Sequence, residues 1–219
     1  MTKQVAIVLA GCGVFDGSEI YETTLTLLRL DQLGIGYRCF APDVAQHHVI
    51  NHLTQEPVEG EQRNVLQESA RLARGDISPI TELDADDFDA VIVPGGFGVA
   101  KNLSDFADQG DSMQVLESVK EALVGFKEEA KPIGLMCIAP VLVPRLLGEG
   151  VAVTIGHDPS VSGAISAMGG LHRSCGVEDI VVDHEHRVVT TPAYMLATRI
   201  SEAATGIFKL VDRIDEMMG

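Results

Sequence analysis

A cysteine attacks carbonyl carbon only as its thiolate, and Cys137 occupies a place in this sequence that favours the ionised form. It follows the apolar run 132–136, which has the composition of a buried strand. It precedes 139–147, which reads as a helix with Pro140 tolerated in its first turn. A thiol at such a junction lies at the carboxyl edge of a sheet and the amino end of a helix, where free N–H groups and the helix dipole stabilise negative charge. A buried cysteine acting as a small apolar side chain accounts for the same segment, since free cysteine is among the most buried residue types.

Attack on a carbonyl also needs donors for the charge that develops on oxygen. Pro94-Gly95-Gly96-Phe97-Gly98 follows a second apolar run, 90–93. Paired glycines at a strand end bring N–H groups close to a ligand with no side chain in the way, so Gly95, Gly96 and the N–H of Ile138 are the expected oxyanion and substrate-binding groups. The likeness to a dinucleotide fingerprint is weak, because the cluster contains a proline and no strand with an acidic residue follows about twenty positions on. Glu22, in the first turn of a helix predicted over 19–33, is the expected proton carrier. Beside the sulfur it would be pushed toward its protonated form, although a carboxylate there also serves simply as a partner for the helix dipole.

Other candidates carry less. His47, His48 and His52 lie in the irregular stretch 44–63 with no acidic or sulfur ligand at metal-binding spacing, so no metal site is expected. His184 and His186 belong to the polar turn of a hairpin predicted over 180–191, where histidines face solvent. Cys12, at the end of the first strand, is a candidate resolving thiol or a packed loop residue.

The elements that must position these groups alternate. Strands are predicted over 5–10, 37–40, 90–93, 132–136 and 151–155. Helices are predicted over 19–33, with Ile20, Leu27, Leu28 and Leu30 or Leu33 inward, and over 64–73, 101–106, 113–129, 139–147, 158–168 and 196–217. Possible caps for the first helix are Asp16 and Ser18. The pattern predicts an α/β chain of one domain over 1–219: a doubly wound, mainly parallel sheet with helices on both faces and a small β-hairpin near the carboxyl terminus. Ligands in that architecture sit beyond the carboxyl ends of the strands, where the loops carrying Glu22, Gly95-Gly96 and Cys137 meet.

The net charge of −16 repels phosphate backbones and anionic lipid, so neither nucleic acid nor a membrane is an expected partner. The amino-terminal apolar run is too short for a signal sequence. Cys12, Cys39, Cys137 and Cys175 show no paired spacing, which suggests free thiols in a reducing cytoplasm.

Ser-Glu-Ile-Tyr-Glu at 18–22, Val-Pro-Gly-Gly-Phe-Gly at 93–98, Ala-Lys-Asn-Leu-Ser at 100–104, Gly-Leu-Met-Cys-Ile-Ala-Pro at 134–140 and Val-Val-Thr-Thr-Pro-Ala-Tyr-Met-Leu-Ala at 188–197 occur in this order. Together they resemble the ElbB family, the enhancing-lycopene-biosynthesis or sigma cross-reacting proteins. That family lies within the PfpI and class I glutamine-amidotransferase-like superfamily. The resemblance covers essentially the whole chain. It implies a flavodoxin-like fold, with Cys137 as nucleophile, Glu22 as its acidic partner and Gly96 as an oxyanion donor. It further implies conversion of glyoxal and water to glycolate without glutathione, metal or cofactor, with other small 2-oxoaldehydes as candidate substrates, and an accessory role in isoprenoid biosynthesis. Superfamily analogy implies a homodimer. The sequence departs from the amidase members, which need a histidine base and in peptidase-like members often place it directly after the cysteine: Ile138 stands there, and His157 is the remaining accessory candidate. Glutamine hydrolysis is therefore disfavoured. The remaining alternative is a redox-sensing protein that uses an oxidisable Cys137.

Overall fold

The computed structural model describes residues 2–219. Strand β1 (Gln4–Val8) leads to helix α1 (Ile20–Gln32) and strand β2 (Gly36–Ala41). A short antiparallel pair, β3 (Ile50–Asn51) and β4 (Glu56–Pro57), precedes α2 (Val65–Leu72), β5 (Ile77–Pro79) and β6 (Ala90–Val93). Helices α3 (Phe97–Lys101), α4 (Phe106–Gln109) and α5 (Glu117–Glu128) connect β6 to β7 (Ile133–Met136). Then come α6 (Val143–Leu147), β8 (Ala152–Val153), α7 (Pro159–Ala167), β9 (Leu171–His172), β10 (Val181–Asp183), β11 (Val188–Thr191) and the long α8 (Ile200–Met218).

Seven strands form one sheet in the order β10-β11-β7-β6-β1-β2-β5, parallel throughout except for β10, which folds back on β11 as the predicted hairpin. Every residue of β6, β7 and β11 is buried, as apolar runs covered on both faces require. Gly134 gives α8 room to pack, because a Cβ there would come within 3.0 Å of Leu210. Helices α1 and α8 lie together, joined by a two-pronged Arg29–Asp212 pair with nitrogen to oxygen distances of 2.6 and 2.9 Å. The chain reverses direction in the sheet at β1. From there β2 is added on one side and β6, β7 and β11 on the other, so the crevice between β1 and β6 is the topological switch point.

Several predicted elements differ from those observed. In α1 the buried residues are Glu22, Thr23, Thr26 and Leu30, while Ile20 and Leu28 are exposed. The threonines can be buried because their hydroxyls bond the carbonyls of Glu19 and Glu22 one turn back, and Glu22 because it has backbone partners described below. The helix predicted over 101–106 falls on a break between α3 and α4. There Asn102 turns its amide onto the carbonyls of Ala10 and Asp16, and Ser104 pairs across a bridge with Val115. That bridge also keeps 113–116 extended, so α5 starts at Glu117. The strand predicted over 151–155 shrinks to β8 and pairs with β9 outside the main sheet. The last helix begins at Ile200, after a 3₁₀ turn at Ala193–Met195.

Candidate active site

Strand β7 is followed directly by Cys137, whose backbone has φ +59°, the left-handed region that L residues avoid at a cost of about 1–2 kcal/mol. The strand holds it there, because its N–H continues the ladder to the carbonyl of Thr191 at 3.0 Å, one step beyond the Met136 to Thr191 register. The sharp turn drops the thiol into the crevice outside the sheet rather than along it. Behind it comes not the expected α-helix but a 3₁₀ turn, Ala139–Leu142, that runs on into α6.

The N–H groups of Gly96 and Ile138 both point at the Cys137 sulfur, and neither is spent on another backbone carbonyl. Gly96, at φ +101°, caps α3. A Cβ there would lie 2.3 Å from the carbonyl oxygen of Gly17, so only glycine lets the loop after β1 close over this turn. Gly95 is assigned differently from the sequence expectation. Its N–H donates to Glu22 Oε2 at 2.8 Å and its carbonyl accepts from Glu19 N–H at 2.9 Å, so it fixes the acid instead of lining an oxyanion hole.

Glu22 is fully buried, and its carboxyl lies beside the Cys137 thiol, close enough for each to act on the other's ionisation. Its second oxygen, Oε1, accepts from the N–H of Tyr194 at 3.1 Å, a donor supplied by the turn after β11, in which Ala193 has φ +43°. Burial lifts the Glu22 carboxyl to about 7, with the nearby Glu19 carboxylate pushing the same way against the pull of Tyr194 N–H, the thiol and Gly95 N–H. Burial also raises the Cys137 thiol well above its ordinary value, and the Glu22 charge adds to this, while the two N–H donors lower it. The structure thus corrects the expectation of a thiolate made by a helix dipole. Here charge is shared by a pair: a proton placed on Glu22 removes the repulsion that raises the thiol and leaves the sulfur facing two N–H groups.

The other predicted site residues are not brought to the sulfur. His157 is exposed on the turn before α7 and makes none of the hydrogen bonds at Cys137. Cys12 is half-buried across a bridge from Ser18, and burial followed by the charge of Glu68 raises its thiol. Asp16 and Ser18 do not cap α1: Ser18 Oγ accepts from Ala10 N–H, Asp16 Oδ2 from Ile50 N–H, and Glu19 is the cap. His184 and His186 sit at the far end of β10 and β11, in the turn that the sequence pattern predicts. Among the described residues no group of three His, Cys, Asp or Glu side chains is arranged to hold a metal ion, and no helix is long and apolar enough to cross a membrane.

Sequence reasoning missed Glu19 and Tyr194. The i, i+3 spacing of Glu19 and Glu22 is a usable signal for the first, while the second acts through its backbone N–H and leaves no mark in residue type. The crowding at Gly95 gives a sharp expectation. A Cβ there would stand 2.3 Å from Cys137 Cβ and 2.6 Å from Glu22 Oε2. Gly95→Ala should separate thiol from acid and lower the rate of Cys137 alkylation at pH 7 by about tenfold or more, as read by intact mass after timed exposure to iodoacetamide, since about 1.4 kcal/mol of lost interaction is tenfold.

No family model matches the chain. The rat mitochondrial ES1 protein homolog is 46% identical over 99% of this chain and 84% of its own length. The human mitochondrial glutamine amidotransferase-like class 1 domain-containing protein 3 gives the same identity and coverage. Among solved structures, an isoprenoid biosynthesis protein with amidotransferase-like domain from Ehrlichia chaffeensis superposes with a TM-score of 0.94 at 39% identity, covering 100% of both chains. Glyoxalase III from Candida albicans aligns with a TM-score of 0.64 and 13% identity over 98% of this chain and 97% of its own, a likeness of fold alone. The expected cytoplasmic location is overturned by the rat and human relatives, both named as mitochondrial proteins. Scattered free thiols are compatible with any reducing compartment and do not by themselves identify the cytoplasm.

Proposed function

We propose a function from the premise that the chain belongs to the ES1 family of glutamine amidotransferase-like class 1 domain proteins: it is a cysteine-dependent glyoxalase that converts glyoxal and water to glycolate, as the ElbB-like motifs imply. The observation that carries this reading is the strained Cys137, set beside a buried acid and faced by two unspent N–H groups. Glu22 takes the thiol proton as the sulfur electron pair forms a C–S bond to one aldehyde carbon. The C=O π pair moves to oxygen, and proton return gives the hemithioacetal. Glu22 then removes the C–H proton of that carbon, the adjacent carbonyl accepts the electrons to form an enediol, and protonation of the second carbon yields a thioester of glycolate. Water cleaves the thioester and restores the thiol. Glyoxal plus one water equals glycolic acid, so no electron donor or acceptor is needed.

A carboxyl near 7 suits both halves of this proton transfer at neutral pH. Cys137 is only 7% exposed, which favours a small electrophile such as a two-carbon aldehyde over a bulky one. Amide hydrolysis fits less well, because the amidase members use a histidine at the sulfur, whereas here Ile138 follows Cys137 and the exposed His157 is not among the groups acting on the thiol.

One feature favours a second reading, oxidation of the sulfur as a sensing event: the Gly96 and Ile138 N–H groups aim at sulfur itself, where they would also hold the oxygens of a sulfinate. The deciding experiment measures glycolate by chromatography after incubating purified protein with glyoxal. In parallel, intact mass is recorded after mild peroxide. Glycolate formed at a rate proportional to protein supports the enzyme. Absence of glycolate together with a stable gain of two oxygens on Cys137 supports the sensor.

A further inference from the structure

We propose that Glu19 is a positioning residue for this reaction: it anchors the first turn of α1 so that Glu22 faces the sulfur, and its carboxylate, close to the Glu22 carboxyl, holds the shared proton on Glu22. The proposal rests on the glyoxalase reading for its role in turnover, but its geometry does not depend on it.

Glu19 caps α1, with its carboxylate accepting from Glu22 N–H at 2.7 Å. Burial raises the Glu19 carboxyl, and the N–H groups of Glu22, Tyr21 and Ile20 in the first turn work against that and favour its charge. Its own N–H donates to the Gly95 carbonyl at 2.9 Å, and Gly95 N–H donates to Glu22. The backbone of Glu19, its side chain, Gly95 and Glu22 thus form a closed ring of hydrogen bonds around the acid. A helix cap alone does not call for this residue. Short neutral or acidic side chains such as Ser, Thr, Asn and Asp are the preferred caps, and Glu19 is only 8% exposed, where an ionised carboxylate is costly. A long anionic side chain buried beside a second buried carboxyl is instead what keeps that second group protonated, because two like charges in a low-dielectric site cannot both ionise freely. The groups acting on Glu22 are the thiol of Cys137 from the end of β7, Glu19 from its own helix and backbone N–H groups of Gly95 and Tyr194; the Tyr194 and Tyr21 side chains lie alongside.

The test compares three variants of the full chain. Glu19→Asp and Glu19→Asn both keep a competent cap and differ only in charge, and Glu19→Gln keeps the length. Two pH profiles are read for each: alkylation of Cys137 by iodoacetamide, and kcat/KM for glyoxal. In Glu19→Asn and Glu19→Gln the acid-side midpoint should move to lower pH by about one unit or more, the effect of removing a like charge from a shared site. In Glu19→Asp it should stay within about 0.3 of the wild type, whatever happens to the absolute rate, a bound set by retention of the charge. Midpoints that coincide in the Asp and Asn variants would overturn the proposal, leaving Glu19 as a cap. The alkylation profile decides this even in a protein that makes no glycolate, so failure of the glyoxalase reading and failure of the Glu19 proposal are separately visible.

Discussion

Purified Cys137→Ala is expected to form glycolate from glyoxal no faster than buffer alone, while remaining folded. The thiol is the only nucleophile among the groups that meet at the end of β7, and Gly96 and Ile138 offer donors but no electron pair. Loss of stability should be small, about 1 kcal/mol, because alanine shares the same left-handed backbone penalty and only one buried atom is removed. Cys137→Gly should recover roughly 1 kcal/mol relative to alanine, since glycine adopts a positive φ freely, and it should be equally inactive. The control is Cys39, whose thiol is pushed to about 12 by burial, with the charge of Asp76 adding to it. It should remain unalkylated under conditions that label Cys137. Turnover by Cys137→Ala at the wild-type rate would end the proposed mechanism.

Glu22→Gln should produce the second large effect, a fall in kcat/KM of about 10²–10⁴, the usual contribution of a positioned acid or base. It should also change how stability depends on pH. In the folded protein the Glu22 carboxyl is raised from an ordinary 4.5 to about 7, so folding favours its protonated form. That contribution is fully present below pH 4.5 and is lost as pH rises to about 7, a change of roughly 3 kcal/mol that glutamine cannot show. At pH 5 the variant should be the less stable protein. Both Glu22 oxygens accept from backbone N–H groups, and an amide nitrogen facing either donor leaves that donor unpaired, at about 1–3 kcal/mol. Between pH 5 and pH 8 the gap should close by about 3 kcal/mol or reverse, as the buried charge appears only in the wild type. Urea unfolding at the two pH values measures this directly; a gap independent of pH would mean that Glu22 is not the group titrating near 7.

Much of this arrangement was legible in the residue pattern because it depends on local rules. Apolar runs of four to six residues, followed by Gly11, Pro94-Gly95 and Cys137, gave β1, β6 and β7, and the alternation of strands and helices gave a parallel sheet whose carboxyl edge gathers the loops. Glu22, Gly96, Cys137 and Ile138 do meet at that edge. The interruption after α3 was not legible, since it arises from Asn102 binding carbonyls 92 and 86 positions away. The misread face of α1 has the same origin. A period-based reading turns Ile20 and Leu28 inward with Leu30, but beside Leu30 the helix buries Glu22 and two threonines, and the hydrogen bonds that permit Glu22 there come from Gly95 and Tyr194.

By itself the sequence determined the order of the elements, the parallel sheet and the edge at which chemistry would occur, because composition and spacing act over a few residues at a time. It also singled out the cysteine and the acid. Only the tertiary structure decided how charge is divided between them. Ionisation depends on which groups are shut away from water together, and here strand ends 71 and 114 positions from Glu22 in sequence, those of β6 and β7, close with the turn after β11 around one carboxyl and one thiol. The same packing gave Gly95 to the acid and Gly96 to the sulfur. Two adjacent glycines of identical type thus differ in role solely by which partner each backbone N–H reaches.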